Sequence, residues 1–260
     1  MKSFLAALMM FTRLPLWRIV QVDKKYYSTI LLSWPLVGFF TGLTTWFTLW
    51  LGTCIMPLFP ACILAIISRL LLTGALHEDG LADFFDGFGG GTDKEKILTI
   101  MKDSHIGSYG TIGLIMYFLL YTGFLSSCPS AIIIISADVT AKLCSAVMIN
   151  SLSYARTEET CKTHIIYKHL NGWAFTGMAI LCASLLFIIY ILSQPTTSQL
   201  QNILLSPIII IIPVVLFVLV LRHYFQRKIG GYTGDCCGAA MLLTEQFFYL
   251  SYIIYLQLPI

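Results

Sequence analysis

The sequence predicts an all-α protein, a polytopic bundle of about seven transmembrane helices forming one domain over residues 1–260. Three observations carry this. Hydrophobic residues make up 57% of the chain and charged ones 11%, against roughly a quarter charged in soluble domains. Apolar stretches on the order of 20 residues, long enough to cross a bilayer, recur along the chain. Basic residues gather on alternate connections between those stretches. The net charge of +3 gives no reason to expect a nucleic-acid partner.

In chain order, Lys2 and the apolar stretch Phe4–Phe11 look superficially like a signal peptide. The stretch runs into Thr12-Arg13 without a small-residue cleavage site and is too short to span, so it is expected as a retained segment on the membrane surface. Spans are expected near 30–52, 55–76, 108–126, 130–152, 172–193, 203–222 and 237–257. Pro35, Pro57, Pro60 and Pro213 lie in or beside them, where neighbouring helices re-satisfy the freed backbone groups. Neither strand alternation nor a 20- to 50-residue repeat is visible.

Charge placement supports the count. Lys2, Arg13, Arg18, Lys24 and Lys25 precede the first span, and Lys94, Lys96 and Lys102 lie between the second and third. Arg156, Lys162 and Lys168 lie between the fourth and fifth, and Arg222, Arg227 and Lys228 between the sixth and seventh. The connections at Thr53-Cys54, Ser127 to Pro129 and Gln194 to Gln201 carry no charge. The positive-inside rule makes the basic connections cytoplasmic, with the N-terminus inside and the C-terminus outside. Arg69 and Lys142 fall inside spans, where charges face a bundle interior or pair with one another. Lys142 follows Asp138 by four residues, so the two can pair on one helix face. Arg69 either looks into the cavity of the acidic cluster described next or snorkels to the cytoplasmic edge. The eight cysteines show no Cys-x-x-Cys spacing and read as small packing residues, with the vicinal pair Cys236-Cys237 a place for redox sensitivity.

The densest polar stretch is His77-Glu78-Asp79-Gly80-Leu81-Ala82-Asp83-Phe84-Phe85-Asp86-Gly87, at the cytoplasmic end of the second span. Asp79, Asp83 and Asp86 stand at i, i+4 and i+7 and fall within roughly 60° of one another on a helix. Three carboxylates on one stripe repel unless water or a cation screens them. A solvated helix end is one reading; a divalent-metal site is the other, because Mg²⁺ takes carboxylate oxygens and bridges to substrate phosphates. Gly87 to Gly91 then read as too flexible for a stable helix. Thr92 with Glu95 reads as a capping box opening a short cytoplasmic helix that ends near Lys102-Asp103-Ser104-His105. This loop and helix read either as a movable cover or as an ordinary connection. The last cytoplasmic connection, Arg227 to Gly238, offers glycines for close backbone approach, Arg227 and Lys228 for phosphates, and Asp235 as a further oxygen donor.

Together these segments resemble the adenosylcobinamide-GDP ribazoletransferase (cobalamin synthase) family. The resemblance runs through Phe11-Thr12-Arg13-Leu14-Pro15, Trp34 to Gly38, the central Thr73 to Gly87, Ile100 to Gly107, Tyr154-Ala155-Arg156 and Gly230-Gly231-Tyr232-Thr233-Gly234-Asp235. It implies a magnesium-dependent enzyme of the cell inner membrane, its active site facing the cytoplasm. Such an enzyme joins adenosylcobinamide-GDP to α-ribazole, or its 5′-phosphate, and releases GMP. This reaction needs charge neutralisation on phosphates more than a covalent nucleophile. On that resemblance Asp79, Asp83 and Asp86 are expected to ligate the metal, with His77 as a base or as an orienter of a carboxylate. Lys102, Asp103, Ser104, Arg156, Gly231, Thr233, Gly234 and Asp235 are expected to bind the substrates. The chain departs from the family pattern at His105 and near Asp138, where arginine is expected, and at Thr160-Cys161 in place of glycines. Arg69 or Lys142 is expected to make up for the lost cations. An aspartate-rich prenyl or CDP-alcohol transferase is a rival, but no second Asp-x-x-x-Asp segment and no arginine run between aspartates is present. A transporter would place acids near span midpoints in two related halves, and no such symmetry shows. Oligomeric state is open.

Overall fold

The computed structural model describes residues 2–156, 167–193 and 200–258, with backbone only at 181, 185–193 and 200–208. As expected, the fold is helical, and no strand forms among the described residues. The helices are α1 (Lys2–Phe11), α2 (Trp34–Thr53), α3 (Leu58–Thr73), α4 (Leu76–Gly90), α5 (Lys94–Ile100), α6 (Ser108–Ser127), α7 (Ala131–Asn150), α8 (Gly172–Ser193), α9 (Leu200–Ile229) and α10 (Gly234–Leu256). Each expected span meets a helix.

Five described stretches are long and apolar enough to cross a membrane: Lys24–Thr53, Ser108–Ser127, Ala131–Asn150, Ile209–Ile229 and Gly234–Leu256. The pair α3 and α4 makes a sixth, bent by 93°. The remaining expected span is α8, whose stretch Gly172–Ser184 is a shorter apolar helix. The connections holding Lys162 and Gln194 to Ser198 fall outside the described residues.

The retained N-terminal segment is the helix α1, which buries Ala6, Ala7, Leu8 and Phe11. After it, Thr12 folds back so that its hydroxyl donates to the Leu8 carbonyl at 2.6 Å. The Arg13 amide then donates to the Leu72 carbonyl at 2.7 Å and satisfies an open end of α3. At that end Gly74 and Ala75 are both left-handed, with φ of 67° and 57°. Gly74 is a common C-terminal stop, whereas a left-handed alanine carries a steric cost of roughly 1–2 kcal/mol. Two such residues in a row turn the chain sharply, so the acidic stripe sits on a separate helix rather than at the end of a continuous span.

Packing centres on α2, α7 and α10. Gly38 and Gly42, one turn apart on α2, let its backbone press on Asp138 and Ile135 of α7. α10 buries residues on every side, from Cys236 through Ser251, and is the central post against which α4, α7 and α9 rest.

Candidate active site

The acidic stripe survives as a stripe but not as one environment. On α4, Asp79 is exposed, Asp83 is half-buried and Asp86 is buried. The first turn of α6 explains the third. Its N-cap position is Gly107, which has no side chain to offer. Asp86 supplies the cap from the neighbouring helix, accepting from the Gly107 amide at 2.7 Å and the Gly110 amide at 2.8 Å. A carboxylate there satisfies orphan donors and meets the positive end of the helix dipole. The sequence pattern showed three equivalent acids; docking of α6 gives one of them a different task. α4 also continues through Gly87–Gly90, which were expected to break it, because that turn packs against α5.

The last connection meets the stripe at one close crossing. A methyl group on Gly80 would lie 3.0 Å from the Asp235 carbonyl oxygen, and one on Gly238 would lie 2.9 Å from that of His77. Only the missing side chains let the first turn of α10 rest on α4 at this distance. The crossing sets the Asp235 backbone against Gly80, on the helix that carries Asp79 and Asp83. Thr233 is buried and caps α10, its hydroxyl accepting from the Cys236 amide at 3.3 Å. Gly234 faces open space. His77, by contrast, points inward: it is 3% exposed and its ring packs on Phe11 at 5.3 Å between centroids. Two residues apart on a helix, His77 and Asp79 address different sides.

Two further motif segments converge on the same end. Tyr154 and Tyr232 form an isolated parallel bridge, with the Ala155 amide donating to the Tyr232 carbonyl at 2.8 Å and the Tyr232 amide to the Ser153 carbonyl at 3.0 Å. A side chain at Gly231 would run into the Ser153 carbonyl. Arg156 reaches across to donate to the Leu98 carbonyl of α5 at 3.1 Å. The expected cap of α5 shifts by one residue: Asp93, not Thr92, accepts from the Lys96 amide, at 2.8 Å.

Beyond α5, Lys102, Asp103, Ser104 and His105 are all exposed. An open cleft of about 330 Å³ is lined there by Asp86, Asp103, His105, Ser108 and Tyr109 among others. Asp103 Oδ1 accepts from the His105 amide at 3.0 Å and stands 2.7 Å from His105 Nδ1. The hydrogen bonds from His105 hold the Asp103 carboxyl below the usual carboxylate range.

The two cations inside spans are neutralised within the bundle. Lys142 pairs with Asp138 four residues earlier, as expected, and Thr41 of α2 joins both. Arg69 neither snorkels nor meets the acidic stripe. Its two terminal nitrogens bind the two carboxylate oxygens of Glu245 on α10, each at 2.7 Å, and Nη1 also donates to the Tyr121 hydroxyl at 2.7 Å. The expectation that Arg69 or Lys142 makes up for lost phosphate-binding cations is therefore corrected: both are buried and already paired. Glu245 was not singled out, although an acid within an apolar run was the signal that could have found it.

Among the described residues no three of His, Cys, Asp or Glu converge closely enough to hold a metal by themselves. Asp79 and Asp83, four residues apart, nevertheless present hard oxygen donors on one helix face, and Mg²⁺ commonly takes one or two carboxylates and completes its shell with water and phosphate. Both oxygens of Asp86 already accept backbone hydrogen bonds.

The family model described as cobalamin-5-phosphate synthase matches residues 3–253. Among curated relatives, adenosylcobinamide-GDP ribazoletransferase of Shewanella baltica (strain OS185) is 35% identical over 259 residues, covering 96% of this chain and 93% of the relative. The protein of the same name from Shewanella sp. (strain W3-18-1) is 36% identical over the same shares. The one from Leptospira interrogans is 33% identical over 255 residues, covering 95% and 93%. No solved structure matches the chain.

Proposed function

The chain belongs to the cobalamin-5-phosphate synthase family of transferases, and from that premise we propose that it joins adenosylcobinamide-GDP to α-ribazole or its 5′-phosphate. The product is adenosylcobalamin or its phosphate, and GMP leaves. The reaction is a phosphoryl transfer in which a ribose hydroxyl attacks the cobinamide-proximal phosphorus of the diphosphate. The site faces the cytoplasm from the inner membrane, on the side where the basic connections lie.

One observation carries the reading: the Gly80–Asp235 crossing gathers Asp235 with Asp79 and Asp83 at one end of the bundle. Asp79 and Asp83 would hold Mg²⁺, with Asp235 on the segment that crosses them at Gly80. When bound, the ion supplies charge neutralisation to the diphosphate oxygens. Gly234 faces open space at the start of α10, so a ligand can approach the backbone closely there. Lys102 and Ser104 contribute donors from the exposed loop. Arg156 and the Tyr154–Tyr232 bridge keep α5 and the last connection in register with each other. Asp86 fixes the start of α6 and so the wall of the cleft.

The test is GMP release from membranes holding the full chain, supplied with adenosylcobinamide-GDP and α-ribazole. Release is expected to require Mg²⁺ and to fall about 100-fold or more in Asp83→Asn, the scale seen when transition-state charge stabilisation is removed. Release unaffected by chelation and by the substitution would overturn the metal-assisted reading.

A further inference from the structure

The segment after α1 holds one charged side chain that the proposed function leaves without a task. Arg13 is exposed, yet its backbone is pinned: the Thr12 hydroxyl donates to the Leu8 carbonyl, and the Arg13 amide donates to that of Leu72 near the end of α3. The side chain then lies across the bend between α3 and α4. A methyl group on Gly74 would run into Arg13 Nε and stand 2.9 Å from Cζ, so the guanidinium rests on bare backbone. Gly74 is thus needed twice, for its left-handed φ of 67° and for the room it leaves to Arg13.

That seat adjoins the start of the acidic stripe. The Asp79 amide donates to the Ala75 carbonyl at 2.9 Å, so the first acid of the stripe stands one helical turn beyond the bend. Asp79 is exposed, as Arg13 is. The loop that follows Lys102 lies at the stripe's other end, where Asp103 and His105 line a cleft with Asp86, about 10 Å further along α4. Among the described residues no carboxylate is within ion-pair distance of Arg13, whereas Lys25, Arg69 and Lys142 each have one. Arg156 already donates to the Leu98 carbonyl. A guanidinium held in place and left without an acid is pre-organised for a phosphate group, which it can meet through two parallel N–H donors.

We propose that Arg13, seated on Gly74, binds the diphosphate of the nucleotide-activated donor at the Asp79 end of the stripe. The inference rests on the proposed function, because the diphosphate is that of adenosylcobinamide-GDP. Arg13 is a substrate-binding residue: it grips phosphate oxygens before and after transfer and moves no proton. Its place on the bend also gives Gly74 a part in the site, since any side chain there would displace the guanidinium.

The experiment measures kcat and KM for GMP release, the inhibition constant of GDP and a thermal melt in detergent, all with Mg²⁺ present. It compares wild type with Arg13→Gln, Arg13→Lys and Arg18→Gln, the last an exposed arginine of the same connection that controls for general surface charge. Arg13→Gln is expected to raise KM for adenosylcobinamide-GDP and the GDP inhibition constant about 10-fold or more, the scale of one hydrogen bond to a charged group. KM for α-ribazole and the melting midpoint should hold, and Arg18→Gln should behave as wild type. Arg13→Lys keeps the charge but loses the planar fork, so both constants should rise by less. Wild-type constants in Arg13→Gln, or an equal rise in Arg18→Gln, would overturn the assignment. A rise confined to KM for α-ribazole 5′-phosphate would overturn it too, by moving Arg13 to the other substrate. If Arg13→Gln melts early, Arg13→Lys decides: unchanged constants there overturn the proposal. Wild-type membranes that release no GMP would overturn the proposed function and this inference with it, whereas active wild type with an unaffected Arg13→Gln overturns the inference alone.

Discussion

Asp86 shows how one residue type in one pattern can serve two purposes. Asp79 is exposed and Asp83 half-buried, while the carboxylate of Asp86 closes the start of α6. Asp86→Ala leaves two amides uncapped and is expected to destabilise the protein by about 1–2 kcal/mol. A melt in detergent would show the loss, whereas Asp79→Asn, on an exposed side chain, should melt like wild type. An Asp86→Ala protein with an unshifted midpoint would mean that the cap contributes nothing. The spacing of the three acids was readable because helical periodicity is local. Their division was not, since it depends on where a helix beginning 22 residues after Asp86 docks. The same limit moved the cap of α5 by one position: Thr92 and Asp93 both have suitable oxygens, and here the threonine hydroxyl donates to the aspartate at 3.0 Å. Thr233 shows the converse, a residue singled out for substrate whose hydroxyl serves the backbone of α10.

At the scale of elements, the bend between α3 and α4 is held from both sides. Arg13 covers its outer edge, and the Arg69–Glu245 pair ties the last turns of α3 to the middle of α10. Arg69 is 2% exposed and Glu245 1%, so each charge depends on the other for its solvation. Breaking such a pair from one side costs about 3–5 kcal/mol, while replacing both partners with apolar residues is often neutral. Arg69→Met is therefore expected to melt well below wild type, and Arg69→Met with Glu245→Leu to recover most of the difference. A double variant as unstable as the single one would show that the pair does something apolar packing cannot. Asp138–Lys142 was legible at the sequence level, because i and i+4 share a helix face. Arg69 and Glu245 are 176 positions apart, and nothing local connects them. Seven helices in the right places were readable from hydropathy; the break after Thr73 was not, since a left-handed alanine leaves no compositional trace.

For the molecule as a whole, the helices sort the connections into two ends. One end gathers the acidic stripe, α5, the Tyr154–Tyr232 bridge and the start of α10. The other holds the uncharged turns after α2 and α6, each at the far end of a 20-residue helix, a length of about 30 Å. Basic residues lie at the first end, which the positive-inside rule assigns to the cytoplasm. Cys54 is exposed in the turn after α2 and so provides a native reporter of the opposite face. A membrane-impermeant maleimide is expected to label intact cells at Cys54 and to lose that signal in Cys54→Ser. In the Cys54→Ser background, Lys96→Cys on exposed α5 should label only after the cells are permeabilised. The reverse pattern would put the acidic end outside, away from cytosolic nucleotide, and would remove the reason for placing GMP release there. The assignment is physical as well as topological: a site that binds a diphosphate needs cations nearby, and the rule that orients the helices leaves Lys and Arg on the same face as the aspartates proposed to hold the metal.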